Sequence, residues 1–245
     1  QMTLDHESYS PAKLRSLNGL MFGGSPMPEP ILARLKKDLP DVALIHTFGQ
    51  TEMGPAISYL HPRWQFVGSP KGLSVGTPFP TVEVKLVDTH DQPVVSGATG
   101  EVWARGPGQM TGYLNKPEET AKAITEDGWV RTGDIAYQDD DGFLYICDRA
   151  KDMIITGGEN VFSGEVENVV LAHPSVRQAA VIGIPDDQYG EAVHAVVVLH
   201  EGLSITIEQL RDHCRTLIAP YKCPRSLEIR SAMPLSAAGK ILKRD

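Results

Sequence analysis

Residues 42–52 read Val-Ala-Leu-Ile-His-Thr-Phe-Gly-Gln-Thr-Glu, and this stretch decides the fold class of the chain. The first seven residues, 42–48, form a short apolar run that is typical of a buried strand. The run passes at once into the polar loop Gly49-Gln50-Thr51-Glu52. A strand that ends directly in polar side chains is the usual place for a ligand site in an α/β sheet.

The residues before this stretch supply the helix that an α/β unit needs. Segment 28–39 carries apolar residues at spacings of three and four, which predicts one buried helical face: Ile31, Leu32, Leu35 and Leu39. Pro40 ends the helix. Segment 14–22 is mostly apolar and turns at Gly23-Gly24-Ser25-Pro26. Strand, helix, strand and loop in this order predict an α/β fold.

The pattern changes after residue 60. Residues 60–80 are rich in Gly and Pro and predict irregular structure. Residues 82–148 alternate in polarity and predict a small β-rich region with one helix at 117–124. Within it, Asp139-Asp140-Asp141-Gly142 separates two strand candidates and predicts a hairpin.

The last hundred residues predict a compact α+β unit. Helices are expected at 164–172 and 206–218, and strands at 153–156, 176–182 and 193–199, with a last strand reaching Ile229. Thr206 and Gln209 form a capping-box pattern at the start of the second helix. Its buried face is predicted to hold the following residues: Ile207, Leu210, Cys214 and Leu217.

Composition and charge exclude several classes of protein. The 245 residues are 41% hydrophobic and 22% charged, close to the globular average, which rules out wholesale disorder. The net charge is −8 and no basic run occurs, which argues against a nucleic-acid or membrane-surface binder. No apolar stretch has the length of a membrane span. Three scattered cysteines indicate a reducing compartment, so we expect a cytoplasmic protein.

Four short motifs could carry chemistry, and each has a plainer interpretation. Thr51-Glu52 could contact a phosphate and Mg²⁺, or be a capped turn. Asp134, in Thr132-Gly133-Asp134, could accept from two ribose hydroxyls, or be an exposed turn residue. The charged cluster 148–152 is typical of a solvated linker, and Gly157-Gly158 after it could admit an extended ligand closely or be a simple turn. Lys240 could neutralise a developing anion, or lie in a flexible tail.

The order of these motifs resembles that of the adenylate-forming enzymes, a superfamily of acyl-CoA synthetases, firefly luciferase and peptide-synthetase adenylation domains. Six segments resemble its motifs in sequence: 23–28 resembles GGAPLP, 48–52 YGxTE, 100–106 with 112–113 GELxxRG…GY, 128–134 GWxxTGD, 149–167 RxKDxIxxGGENVxPxEVE, and 234–240 PxxxxGK. Together they cover nearly the whole chain.

The resemblance implies a role for each matching residue in the larger domain. Ser25, Pro26 and Phe48 would border the adenine and the acyl pocket. Thr51 would contact the α-phosphate of ATP and Glu52 would hold Mg²⁺. The same nucleotide site would include the following residues: Gly24, Gly49 and Gln50. Asp134 would bind the ribose hydroxyls with help from Arg149.

The resemblance also implies roles in a small, mobile C-terminal domain. Lys151 would be the hinge, and Lys240 would stabilise the carboxylate and the α-phosphate during adenylation. Gly157 and Gly158 would line the pantetheine path of CoA, and Tyr221-Lys222 would meet CoA. The implied domains are the end of an α/β subdomain at 1–64, a β-rich subdomain at 65–149 and the mobile domain at 150–245.

Three departures from the family pattern qualify these roles. Phe48 replaces the usual Tyr and loses a hydroxyl. Ser163 replaces a frequent Pro. The Ser/Thr/Gly-rich phosphate loop of the family has no counterpart in the chain. We therefore expect the C-terminal half of a longer synthetase, inactive in adenylation by itself.

The implied function is an ATP-dependent acid–CoA ligase that activates a small-molecule carboxylic acid, fatty or related, with ATP, Mg²⁺ and CoA. The acid itself and a homodimer are left open. One alternative is an adenylation domain that loads a carrier protein. Another is a non-catalytic fragment that binds nucleotide or acyl-adenylate.

Overall fold

A computed structural model describes residues 4–24, 27–236 and 241–243. The chain divides into two compact units, with the division between Ile146 and Cys147. Each unit is described here by itself.

The first unit contains two sheets and two helices. Its strands are β1 (Gly19–Gly23), β2 (Ala43–Phe48), β3 (Ser58–Leu60), β4 (Thr77–Pro78), β5 (Glu83–Val87), β6 (Gly100–Arg105), β7 (Val130–Gln138) and β8 (Leu144–Arg149), the last of which crosses the division. Its helices are α1 (Glu29–Asp38) and α2 (Pro117–Ala123). Short 3-10 turns lie at Pro11–Leu14, Thr51–Met53 and Pro62–Trp64.

The first sheet confirms the predicted strand–helix–strand order. It has the strand order β1-β2-β3-β4, and β1 pairs in parallel with β2 so that Gly23 lies opposite Thr47. Helix α1 connects them and buries Leu32 and Leu35 in a core with Leu44 of β2. Because β1 and β2 are parallel, their carboxyl ends lie at the same edge of the sheet.

The second sheet confirms the predicted β-rich region. Its order is β5-β6-β7-β8, with antiparallel pairing of β5 to β6 and of β6 to β7. The turn at Asp139–Gly142 joins β7 to β8 as expected, and its backbone is closed by a bond from Asp139 N to Phe143 O. Two apolar clusters lie against this sheet, one around Val102 and Leu144 and one around Ile57 and Val130.

The second unit is an α+β sandwich of one sheet and two helices. Its further strands are β9 (Ile154–Thr156), β10 (Glu159–Val161), β11 (Val176–Asp186), β12 (Gly190–Leu199) and β13 (Ser226–Ile229), and its helices are α3 (Ser163–Leu171) and α4 (Ile207–Arg215). The strand order is β10-β9-β12-β11, and β13 pairs in parallel with β12. Apolar side chains of β11, β12, α3 and α4 share one core that includes Val181, Val193 and Leu210.

The prediction for α4 is right at its start and wrong at its end. The capping box is present: Thr206 Oγ1 accepts from Gln209 N at 3.3 Å, and Gln209 Oε1 accepts from Thr206 N at 2.9 Å. Leu217 does not share the buried face, because the helix ends at Arg215 and Leu217 is 56% exposed. Leu210 and Cys214 are fully buried as predicted.

None of the helices in the described residues has the length and apolar character that crossing a membrane would need.

Candidate functional site

The polar loop after β2 is held in one shape by close backbone packing. Gly49 approaches the next segment so closely that a Cβ at this position would lie 1.8 Å from Pro55 O. Thr51–Met53 then form a 3-10 turn that ends at Gly54, whose φ is +62°. Thr51 is exposed and Met53 is buried. The turn therefore presents the Thr51 hydroxyl at the surface while the Met53 side chain anchors it in the core.

Glu52 is fixed by contacts from the segment that follows β6. Its carbonyl oxygen accepts from Met110 N at 2.8 Å, and its carboxylate Oε1 accepts from Tyr113 Oη at 2.7 Å. The bond to Glu52 is the main reason that the pKa of Tyr113 is raised, so the phenol stays a donor at neutral pH. Glu52 is half-buried. Its carboxylate is therefore pre-oriented at the carboxyl edge of the sheet.

A half-buried carboxylate suits Mg²⁺ when a nucleotide supplies the other ligands. Mg²⁺ takes hard oxygen ligands and commonly uses one or two carboxylates together with phosphates and waters. No cluster of three or more potential metal-ligating side chains occurs within 4–24, 27–236 and 241–243. Within those residues Glu52 offers Oε2 with no hydrogen-bond partner. The Glu52 carboxylate thus fits a magnesium ion whose other ligands come from a nucleotide and water.

The other predicted residues of this edge are placed by the same two strands. Gly24 follows β1 with a φ of +80°, and Gln50 follows β2 in extended conformation. The ring of Phe48 is partly buried and packs against both apolar clusters of the second sheet. Ser25 and Pro26, predicted to border adenine, lie outside the described residues.

Asp134 lies on a bulge in β7. Glu101 of β6 is opposite Ile135, and Trp103 is opposite Arg131, so the single residue Val102 faces the three residues 132–134. Thr132 Oγ1 donates to Val102 O at 2.7 Å and accepts from Asp134 N at 3.1 Å. Asp134 is only 5% exposed. Of the two interpretations of this motif, the exposed turn residue is wrong, because Asp134 is part of a buried, hydrogen-bonded bulge.

In the second unit, the predicted hinge and glycine residues lie on exposed turns. Arg149 ends β8 and Lys151 follows in a turn closed by Asp152 N and Met153 N, which both donate to Arg149 O. Gly157 and Gly158 connect β9 to β10 with φ values of +61° and +85°. Gly157 lies against the ring of Tyr189, and Gly158 has open space around it.

Tyr221 and Lys222 lie on a 3-10 turn of the second unit. Tyr221 is exposed, whereas the Lys222 ammonium contacts both carboxylate oxygens of Glu165 on α3, at 2.6 and 2.8 Å. That pairing gives Lys222 a structural contact in addition to its predicted role at CoA. Lys240 lies outside the described residues.

The residues that flank 237–240 are anchored to the unit by an ion pair. Leu235 and Ile241 form a β-bridge, and Leu242 N donates to Pro234 O at 2.9 Å. Lys243 Nζ donates to Glu167 at 2.7 Å and to Ser163 Oγ at 2.6 Å. Burial raises the pKa of Glu167, and the ammonium of Lys243 opposes that rise.

Sequence reasoning missed three contacts at these sites. Tyr113 matched a motif but had no assigned role, and its partner Glu52 is 61 residues away. Glu101 and Lys243 likewise had no role, although the first contacts the bulge of Asp134 and the second anchors the chain next to 237–240. For the contact of Glu101 with the bulge, the alternating polarity of β6 and β7 was the only hint in the sequence.

Two family models match the chain. Residues 1–114 match the model described as AMP-binding enzyme, and residues 165–240 match the model described as AMP-binding enzyme C-terminal domain. The chain belongs to the AMP-binding enzymes, the adenylate-forming family.

The relatives give this membership a finer context. The chain is 40% identical to a feruloyl-CoA synthase of Amycolatopsis sp over 97% of its own length and 47% of that protein. It is 38% identical to a long-chain-fatty-acid–CoA ligase of Yersinia pestis over 99% of its own length and 42% of that protein. The chain thus spans about half the length of the curated relatives it matches.

A solved structure agrees with the fold. The chain resembles o-succinylbenzoate-CoA synthetase (MenE) of Bacillus subtilis with a TM-score of 0.80 and 32% identity, over 95% of this chain and 48% of that one. That synthetase has been solved with ATP and magnesium ion, and also with its acyl-adenylate intermediate.

Proposed function

We propose that this chain serves an AMP-forming acid–CoA ligase, in which it provides ribose, magnesium and CoA contacts. The observation that carries the proposal is the Glu52 carboxylate, oriented by Tyr113 at 2.7 Å on a tightly packed turn beyond β2. The exposed Thr51 hydroxyl lies beside Glu52 on the same turn and can donate to a phosphate. The relatives, which include CoA synthetases and ligases, support the same activity.

The proposed first step joins a carboxylic acid to AMP. A carboxylate oxygen of the acid attacks the α-phosphorus of ATP, an acyl O–P bond forms, and the bond to the β-phosphate oxygen breaks to release pyrophosphate. Thr51 donates to the α-phosphate, and Asp134 with Arg149 holds the ribose. Lys240 neutralises charge on the carboxylate and the α-phosphate. Magnesium, when bound at Glu52 with the phosphates, offsets the negative charge of the nucleotide.

The proposed second step transfers the acyl group to CoA. The second unit turns about Lys151, so that Lys240 leaves and the turn with Gly157 and Gly158 lines the pantetheine path. The CoA thiolate attacks the acyl carbon and AMP leaves. Glycines suit this path because a bare backbone admits an extended ligand closely.

We also propose a cytoplasmic location for the protein. The three free thiols agree with a reducing compartment.

A substitution at Lys240 separates the two steps. In the intact gene product that carries this chain, we expect Lys240→Ala to abolish acid-dependent pyrophosphate release while sparing CoA ester formation from supplied acyl-adenylate. The same substitution thus tests the role of Lys240, which lies outside the described residues. Equal loss of both steps would contradict the proposed division of labour.

The acceptor is tested with free CoA. An acid–CoA ligase turns over with free CoA as the only thiol, whereas a carrier-loading adenylation domain needs a phosphopantetheinylated protein. A non-catalytic fragment would bind AMP or acyl-adenylate in calorimetry but would form no thioester with either acceptor. Thioester formation with free CoA supports the ligase, and either of the other results would replace it.

A further inference from the structure

The bulge that carries Asp134 is held from outside by one carboxylate. Glu101 Oε1 accepts from Gly133 N at 2.9 Å. Gly133 has a φ of +70°, a conformation that glycine adopts without strain. The bond joins β6 to the middle of the bulge, where the ladder between β6 and β7 is interrupted. Glu101 thus replaces a missing ladder contact next to Asp134.

A second contact fixes the other oxygen of the same carboxylate. Glu101 Oε2 accepts from Trp103 Nε1 at 3.0 Å, and Trp103 is only 3% exposed. The guanidinium of Arg131 lies 4.3 Å from the Trp103 ring centre, and Lys85 Nζ lies 4.8 Å from it. A carboxylate with both oxygens occupied in this way has one orientation.

The Glu101 contact affects Asp134 because the residue that it holds, Gly133, directly precedes Asp134 in the chain. Gly133 is its direct neighbour, and on the other side Thr132 Oγ1 accepts the bond from Asp134 N. Without Glu101, the amide of Gly133 and the indole N–H of Trp103 would both lose their acceptor. Unpaired part-buried donors are costly, so the bulge would move to find new partners. Asp134 would move with it.

We propose that Glu101 is a positioning residue for ribose recognition, acting by fixing the bulge that presents Asp134. The inference rests on the proposed function, in which Asp134 binds the ribose hydroxyls. It assigns no contact between Glu101 and the nucleotide. Its effect is therefore specific to the ribose hydroxyls and leaves the other nucleotide contacts unchanged.

The test compares ATP with 2′,3′-dideoxy-ATP in the intact gene product that carries this chain. The readout is the ratio of kcat/KM for the two nucleotides in acid-dependent pyrophosphate release. We expect Glu101→Ala to lower this ratio about tenfold, the size expected when donors lose a charged acceptor. Its kcat/KM for the dideoxy nucleotide should remain close to that of the unsubstituted protein.

Two further variants make the outcomes distinguishable. Asp134→Ala should abolish the preference for ATP, and adding Glu101→Ala to it should change the ratio no further. Glu83→Ala is the matched control, because Glu83 lies on the neighbouring strand β5 and its 63%-exposed carboxylate pairs only with Arg105 among the described residues. It should leave the ratio unchanged. Glu101→Asp keeps the charge but is too short to reach both donors, and should lower the ratio several-fold if Glu101→Ala does not fold.

Two results would overturn the inference while leaving the proposed function intact. The first is a normal ratio in Glu101→Ala or Glu101→Asp although Asp134→Ala has lost the preference for ATP. The second is an equal loss of kcat/KM for both nucleotides in the Glu101 variants. A preference that persists in Asp134→Ala would instead contradict the ribose role of Asp134, and the inference with it.

Discussion

Two glycine-bearing loops of the molecule are held in opposite ways. The loop after β2 in the first unit is held by backbone: Gly49 leaves no room for a Cβ, and Glu52 O accepts from Met110 N. The turn between β9 and β10 in the second unit is exposed, and Gly158 has nothing within 4 Å of an added Cβ. Both loops are predicted to contact substrates.

The difference matches what each loop is proposed to do. A carboxylate and a hydroxyl that meet charged phosphates gain most from being fixed before the ligand binds. A turn that lines the path of a flexible thiol arm needs open space instead. The comparison therefore separates a rigid charge-binding edge from an open turn, and the following substitutions test it.

Replacing Gly49 should have the largest effect. In Gly49→Ala the new Cβ would lie 1.8 Å from Pro55 O, a backbone atom that cannot move alone. We expect a loss of at least about 3 kcal/mol in the free energy of unfolding, measured with urea. The matched control is Gly158→Ala, which only forces a non-glycine residue into a left-handed conformation and should cost about 1 kcal/mol. Equal costs at the two positions would break the comparison.

The ion pair beside 237–240 should come next. Lys243→Ala leaves the largely buried carboxylate of Glu167 without its ammonium, and we expect a loss of about 1–3 kcal/mol at neutral pH. Because burial raises the pKa of Glu167, the folded state binds more protons than the unfolded state above pH 4.5. The cost should therefore shrink as the pH is lowered toward that value.

A double variant provides the control for this pair. Lys243→Ala combined with Glu167→Gln removes the uncompensated charge, so the part of the pH dependence that Glu167 causes should disappear. Chemical denaturation at several pH values measures both variants. A loss in Lys243→Ala that stays constant with pH would show that the charge of Glu167 is not its cause.

Removing one hydroxyl at the rigid edge should have a smaller effect. Tyr113→Phe deletes the donor to Glu52, and we expect the KM for Mg-ATP in the intact gene product to rise about fivefold, as for the loss of one hydrogen bond to a charged group. Tyr9→Phe is matched in chemistry, because Tyr9 Oη donates to Asp38 at 3.0 Å away from the proposed site. An unchanged KM in Tyr113→Phe, or an equal rise in Tyr9→Phe, would contradict the orienting role of Tyr113.

The smallest effect should come from His46 in β2. Burial lowers the pKa of this imidazole, which stacks on Phe22 at 4.9 Å. The unfolded state then binds more protons, so the stabilisation is complete above about pH 6.5 and is lost as the pH falls below that value. His46→Phe should remove this part of the pH dependence in thermal unfolding. An unchanged profile would mean that His46 is not the group that titrates.

The elements were predictable from sequence where local pattern decides them. The apolar spacing in α1 and the capping box of α4 are contained within a few residues, and the structure has both. The contacts that fix the site join distant segments. Glu52 and Tyr113 are 61 residues apart, and Glu101 and Gly133 are 32 apart, so no helical or strand period connects them. The burial of Asp134 depends on a bulge that shifts the register by tertiary pairing.

The central claim is that this site forms an acyl-adenylate. Exchange of labelled pyrophosphate into ATP that depends on an added carboxylic acid tests it most directly. The measurement uses the intact gene product with a panel of aromatic and aliphatic acids, beside the Glu52→Gln and Asp134→Ala variants. We expect exchange with at least one class of acid and its loss in both variants. Hydrolysis of ATP to ADP and phosphate, or exchange that is unaffected in both variants, would contradict the assignment of this site to adenylate formation.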